Sequence, residues 1–154
     1  MKGAPTMPAA VYAHAAWMLV AVAIGTWSGY LGLLRALQGP GGRAPLPGRF
    51  NLQVHQWTGI VYYVMLYLGV VGGFLMVEFV LGVEVSGFWE WHKRLGLLVV
   101  AVYTAAGWIG LGLLKRPAGP SRARPIAHMV LNFTGCTLIG LQILLAILKV
   151  NGVF

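Results

Sequence analysis

The sequence predicts an all-α integral membrane protein, a single up-down-up-down bundle of four helices spanning residues 1–154. Composition is the first reason. The chain is 58% hydrophobic and 9% charged, with mean hydropathy +0.78. A soluble domain carries about 25% charged residues, and so few charges cannot cover a water-facing surface. Blockwise order is the second. Val11 to Leu34, Trp57 to Val77, Leu95 to Leu114 and Ile126 to Leu148 contain no Asp, Glu, Lys or Arg. Length is the third: about 20 such residues in a helix cross the ~30 Å hydrocarbon core. A lone segment in lipid must satisfy its own backbone, which makes each block a helix.

The first helix is expected over residues 9–37. Pro5 and Pro8 precede it, and Pro8 suits an opening turn. Lys2 before an apolar block resembles a secretory leader, but a leader's apolar core is shorter, about 7–15 residues. The block therefore reads as an uncleaved helix. The breaker-rich run from Gly39 to Gly48 contains three glycines after Gly39 and three prolines, and ends the helix. The second helix is expected over 51–83 and the third over 88–115, joined near Gly82 to Gly87. Lys115 to Pro125, with three prolines, separates the third helix from the fourth, expected over 124–150. Short links make consecutive helices antiparallel neighbours, so helices one and three lie diagonally opposite, as do two and four. The chain forms one domain.

Net charge is +8 and the pI about 10.2. The basic residues sit in loops and form no stripe interleaved with exposed aromatics, so nucleic acid is excluded as a partner and membrane lipid is expected. Arg35, Arg43, Arg49, Lys115, Arg116, Arg122 and Arg124 flank loops one–two and three–four. Lys2, Lys93, Arg94 and Lys149 lie on the other side with all three acids, Glu78, Glu84 and Glu90. The positive-inside bias then places both termini outside a bacterial inner membrane. Cys136 is the only cysteine, and C-x-x-C-H is absent. Internal disulfides, cysteine zinc sites and covalent c-type haem are thereby excluded.

The chain has four histidines, His14, His55, His92 and His128, one near the N-terminal end of each expected helix. Alternating helix directions put His14 and His92 at the outer level and His55 and His128 at the inner level. Diagonal helices thus pair them level by level, as two b-type haems with an imidazole on each face require. Eighteen residues are about five helical turns and return to the same face. At that spacing after His14, His55 and His92 stand Gly32, Gly73 and Gly110, with Ala146 after His128. Gly59 and Gly96 follow His55 and His92 by four residues. These small residues would leave room for the macrocycle, although glycine in membrane helices also serves plain helix packing. A single intramembrane histidine can be structural, bonding a neighbouring helix or standing among headgroups. Four, one per helix and matched by level, point to a site.

The arrangement resembles the cytochrome b561 superfamily, and within it a small bacterial four-helix branch. The resemblance rests on His55-Gln56-Trp57-Thr58-Gly59, on Trp89 to Gly96 and on Arg124 to Asn132, with a weaker match at His14-Ala15-Ala16-Trp17. It implies a four-helix core carrying two haems, His14 with His92 outside and His55 with His128 inside. The two further helices of the eukaryotic members are missing, which puts ascorbate in doubt as electron donor.

Two imidazoles leave no open iron position, so such a haem exchanges electrons and does not activate oxygen. Asn51, Asn132 or the helix's own carbonyls are candidates to hold the second ring nitrogens. Lys93 and Arg94 outside, with Arg49, Arg122 or Arg124 inside, are candidate propionate partners or ordinary snorkelling flanks. Tyr62 and Tyr103 share the histidine faces and either line the haems or pack as aromatics. Trp17, Trp57, Trp89 and Trp91 suit interfacial anchoring. Glu78 is rotated off the haem face and reads as a solvated helix end.

The expected activity is transmembrane electron transfer as a cytochrome or oxidoreductase subunit, with a redox partner protein or larger complex. Quinone is a candidate partner under the related reading of a haem-bearing anchor for a quinone-linked oxidoreductase. Two other readings are a chlorophyll-binding photosystem-associated subunit and a non-redox transporter or assembly factor. Pairing by level disfavours the former, because chlorophyll takes one axial protein ligand. The absence of acids near the midplane disfavours the latter.

Overall fold

The computed structural model describes residues 8–38, 46–81, 87–115 and 123–150. Most of the expected linkers, with Arg43, Glu84, Arg116 and Arg122, lie outside the described residues. The described chain is all-helical. Four helices, α1 (Ala9–Ala36), α2 (Leu52–Leu75), α3 (Phe88–Lys115) and α4 (Ala123–Val150), account for nearly all of it, and Met76–Leu81 prolongs α2 as a π-helical turn. Each of the four is long and apolar enough to cross a membrane.

Local chemistry sets the ends. Pro8 sits at the N-cap of α1, and its carbonyl accepts from Val11 N–H at 3.0 Å. Arg35 lies in the last turn, where a cation complements the helix dipole. Its Nη1 donates to Gln38 Oε1 at 2.9 Å. The approach to α2 turns at Gly48 (φ +101°), a left-handed conformation that favours glycine. Asn51 then caps α2, its Oδ1 accepting from Val54 N–H at 3.0 Å. Gly87 (φ +56°) does for α3 what Gly48 does for α2. The expected end of the second helix at residue 83 lies outside the described residues, and the last of those described before it form the π turn. It begins where Met76 N–H is shared between the carbonyls of Gly72 and Gly73. A π turn admits an extra residue into a helix without ending it.

Neighbouring helices pack as two hairpins. α1 lies along α2 and α3 along α4, while α2 with α3 and α1 with α4 meet more sparingly. The diagonal pairs α1–α3 and α2–α4 make no close backbone approach among the described residues. One small core unites all four helices: Ala21, Tyr62, Leu66, Val99, Tyr103 and Ile139. Outside it the surface is apolar. Leu19, Val64, Leu68, Leu98, Phe133 and Leu144 are exposed. That pattern inverts the soluble one, where charged residues cover the outside. Between helices in lipid, close packing of small against large groups replaces the hydrophobic effect as the cohesive force.

Candidate functional site

Each histidine stands within the first two turns of its helix, His14 in α1, His55 in α2, His92 in α3 and His128 in α4. All four are partly buried. The His55 and His128 rings face one another across the bundle, with centroids 6.4 Å apart and planes at 90°. His14 stands in the first two turns of α1 and His92 in those of α3, each partly buried. The α2 and α4 imidazoles therefore meet although the backbones of those helices do not. Among the described residues no three His, Cys, Asp or Glu side chains cluster as a metal-ligand group.

The His55–His128 pair is held in one tautomer. His55 Nδ1 lies 2.9 Å from the Ser28 carbonyl, and His128 Nδ1 lies 2.8 Å from the Ala106 carbonyl. A carbonyl only accepts, so each Nδ1 carries the proton and each Nε2 keeps its lone pair. Ser28 Oγ adds longer contacts, 3.4 Å to Nδ1 and 3.3 Å to the His55 carbonyl. The acceptors are thus carbonyls of the neighbouring helix, and neither the asparagines nor the histidine's own helix. Asn51 is spent on the α2 cap. Asn132 Nδ2 donates to the His128 carbonyl at 2.7 Å and stands 3.4 Å from Nε2.

The expected glycines explain where the carbonyls come from. A side chain four residues on leans back over a helical carbonyl. Gly32 follows Ser28 by four and Gly110 follows Ala106 by four, so both carbonyls are uncovered. A methyl at Gly32 would lie 3.3 Å from His55 Cε1, at Gly110 2.9 Å from His128 Cε1, and at Gly73 3.0 Å from His14 Cε1. Each of these glycines makes room for the imidazole of the adjacent helix in its hairpin. Gly59 faces Ser28 Oγ and Gly96 faces the Gln142 amide, which donates to the His92 carbonyl at 3.0 Å.

Between the two levels lies an aromatic layer. Tyr62 and Tyr103 are buried, with rings 5.0 Å apart at 76°, and Tyr63 packs edge-on against both. Such edge-to-face pairs add about 0.5–1.5 kcal/mol beyond their burial. The Tyr103 hydroxyl is 3.3 Å from Cys136 Sγ. Beside this layer, between α1 and α4, is a small cavity of about 100 Å³ reached by Gly25, Tyr62, Tyr103 and Cys136. Tyr63 and Cys136 were not singled out by periodicity as members of this layer.

The candidate cations lie at the rims. Arg94 is exposed, paired with Glu90 at 2.8 Å and lying over Trp91 at 5.7 Å. Lys93 Nζ sits 5.2 Å from the Phe74 ring centre. Arg124 is exposed in the first turn of α4. Trp17 does more than the anchoring expected of it: its Nε1 donates to the Met65 carbonyl at 2.8 Å, tying α1 to α2. Glu78 is exposed within the π turn. No family model, curated protein or solved structure matches the chain.

Proposed function

We propose that this chain is an integral membrane electron carrier with two b-type haems, His14 and His92 at an outer level, His55 and His128 at an inner one. The observation that carries the reading is the inner pair. Two imidazoles on one metal would need about 2.0 Å from metal to nitrogen and about 1.1 Å more to each ring centre, about 6.2 Å in all. The 6.4 Å between the ring centres is close to that span, and the carbonyls on Nδ1 leave both Nε2 lone pairs free for a metal. An N–H donated to a carbonyl fixes ring orientation and raises ligand basicity, as metal-bound histidines require. His55 and His128 would hold the haem between them, and the chemistry it would supply is reversible one-electron exchange.

The chain's own residues supply the rest. Gly32, Gly110 and Gly73 let the imidazoles approach the backbone, and Tyr62 with Tyr103 fills the space between levels. Arg124 at the inner rim and Lys93 with Arg94 at the outer rim are the cations placed to meet propionates. Engaging Arg94 means drawing it from Glu90. The four helices run up-down-up-down across a bacterial inner membrane with both termini outside, following the arginine-rich loops. This assembly is the one implied by the resemblance to the cytochrome b561 core. A redox partner or larger complex would deliver and remove electrons, quinone among the candidates.

The reduced-minus-oxidised optical spectrum of the purified full chain, with haem counted per chain, tests the reading. Two low-spin b haems per chain are expected. A preparation without haem, or one carrying a magnesium tetrapyrrole, overturns it.

A further inference from the structure

The two hairpins pack in one and the same register. Positions can be counted from the histidine that opens each helix. In the first hairpin Gly25, eleven after His14, takes the ring of Tyr62, seven after His55. In the second, Tyr103, eleven after His92, lies on Gly135, seven after His128. Met18 and Gly69 meet at offsets four and fourteen, and Gly96 and Gln142 meet at four and fourteen. Gly32 on His55 and Gly110 on His128 repeat the match at eighteen and zero. The Ser28 and Ala106 carbonyls, both at offset fourteen, receive the Nδ1 protons of the opposing histidines. Every glycine pairing named here has offsets that add to eighteen.

Linkers do not impose this. His14 and His55 are 41 residues apart, His92 and His128 only 36, so the connecting segments differ in length while the packing does not. The residues also differ, in a particular way. Gly25 against Tyr62 becomes Tyr103 against Gly135, and Met18 against Gly69 becomes Gly96 against Gln142. Each pair keeps one glycine and one large partner but exchanges their sides. Close approach of helices needs one small member per pair and is indifferent to which helix provides it.

We propose that the chain is two copies of one packing unit, α1–α2 and α3–α4, related by an approximate twofold axis between them that passes through both histidine pairs. Each pair then takes one imidazole from each unit, and whatever occupies a pair is clamped by equivalent residues of the two copies. The register equivalence stands on the contacts alone; the clamp rests on the haem reading above.

A transplant within the full chain tests the equivalence. Gly96→Met alone drives a thioether onto the Gln142 amide and is expected to lower Tm by several degrees. Gly96→Met with Gln142→Gly recreates the Met18–Gly69 pair of the first unit and is expected to regain at least half of that loss. Gly112→Ala, where an added methyl meets nothing within 4 Å, is the control and should not lower Tm. A double variant no more stable than Gly96→Met overturns the proposal. Haem per chain is counted in the same samples. Absence of haem with the expected Tm pattern rejects the haem reading and leaves the repeat intact, while the reverse result rejects the repeat alone.

Discussion

At the scale of single residues, the site depends on what main-chain atoms do, and glycine decides which of them are exposed. His55 is held by the Ser28 carbonyl at 2.9 Å, and the hydroxyl of the same residue is no nearer than 3.3 Å to any of its partners there. Ser28→Ala therefore keeps the acceptor and should leave the haem spectrum unchanged. Gly32→Val does the opposite. Its Cβ would stand 3.3 Å from His55 Cε1 and its branches closer still, and overpacking of this kind costs about 1–3 kcal/mol. The inner haem should be lost from the spectrum while the outer one, remote from Gly32, persists. Equal spectra for the two variants would mean that the ring does not occupy the place over Gly32. The outer level offers the matching case at Gly73, where a methyl would meet His14 Cε1 at 3.0 Å.

Among elements, the helix caps and the ties between helices carry stability separately from the cofactor. Asn51 holds the first turn of α2 through Val54 N–H and does not touch His55's ring nitrogens. Asn51→Ala should cost about 1 kcal/mol, the usual worth of an N-cap, and read as a lower Tm with an unchanged haem count. Trp17→Phe keeps an aromatic ring but loses the pyrrole half of the indole with its Nε1 bond to the Met65 carbonyl, leaving that carbonyl without this donor. A comparable loss of about 1 kcal/mol is expected from thermal unfolding. The four helices were legible because a helix in lipid needs an uninterrupted apolar block, which the eye reads directly from residues 11–34 onward. Their ends were legible to within a residue or two where Pro8, Asn51 and Gly87 act locally. The π turn after Leu75 was not, since no residue type in Met76–Leu81 announces it. The histidines and the eighteen-residue glycines were visible by period. Their carbonyl partners were not, because Ser28 and Ala106 act through backbone atoms that every residue possesses; only the glycine one turn later marks them. Tyr63 and Cys136 joined the midplane layer through tertiary packing, which periodicity within one helix does not contain.

For the whole molecule, the seam between the two hairpins is where the proposed haems would meet the fold. Contacts are dense within α1–α2 and α3–α4 and sparser between the hairpins, where Tyr62 and Tyr63 pack on Tyr103, Tyr67 meets Thr104 and the His55 and His128 rings face one another. A ligand bound to the assembled seam stabilises it in proportion to its affinity, so haem loading should raise Tm in the wild-type chain. The pairing also makes a prediction about combinations. His14 and His92 belong to one level but to different hairpins; His14 and His55 belong to one hairpin but to different levels. If ligands pair by level, His14→Ala with His92→Ala empties the outer level alone, and one low-spin haem per chain remains. His14→Ala with His55→Ala removes one ligand from each level, and no bis-histidine haem survives although the same number of imidazoles is left. Haem content and the low-spin optical bands, measured on both double variants at equal helical content, separate the two arrangements. A single remaining low-spin haem in the His14/His55 variant, with none in the His14/His92 variant, would place the ligand pairs within hairpins and overturn the pairing across the seam.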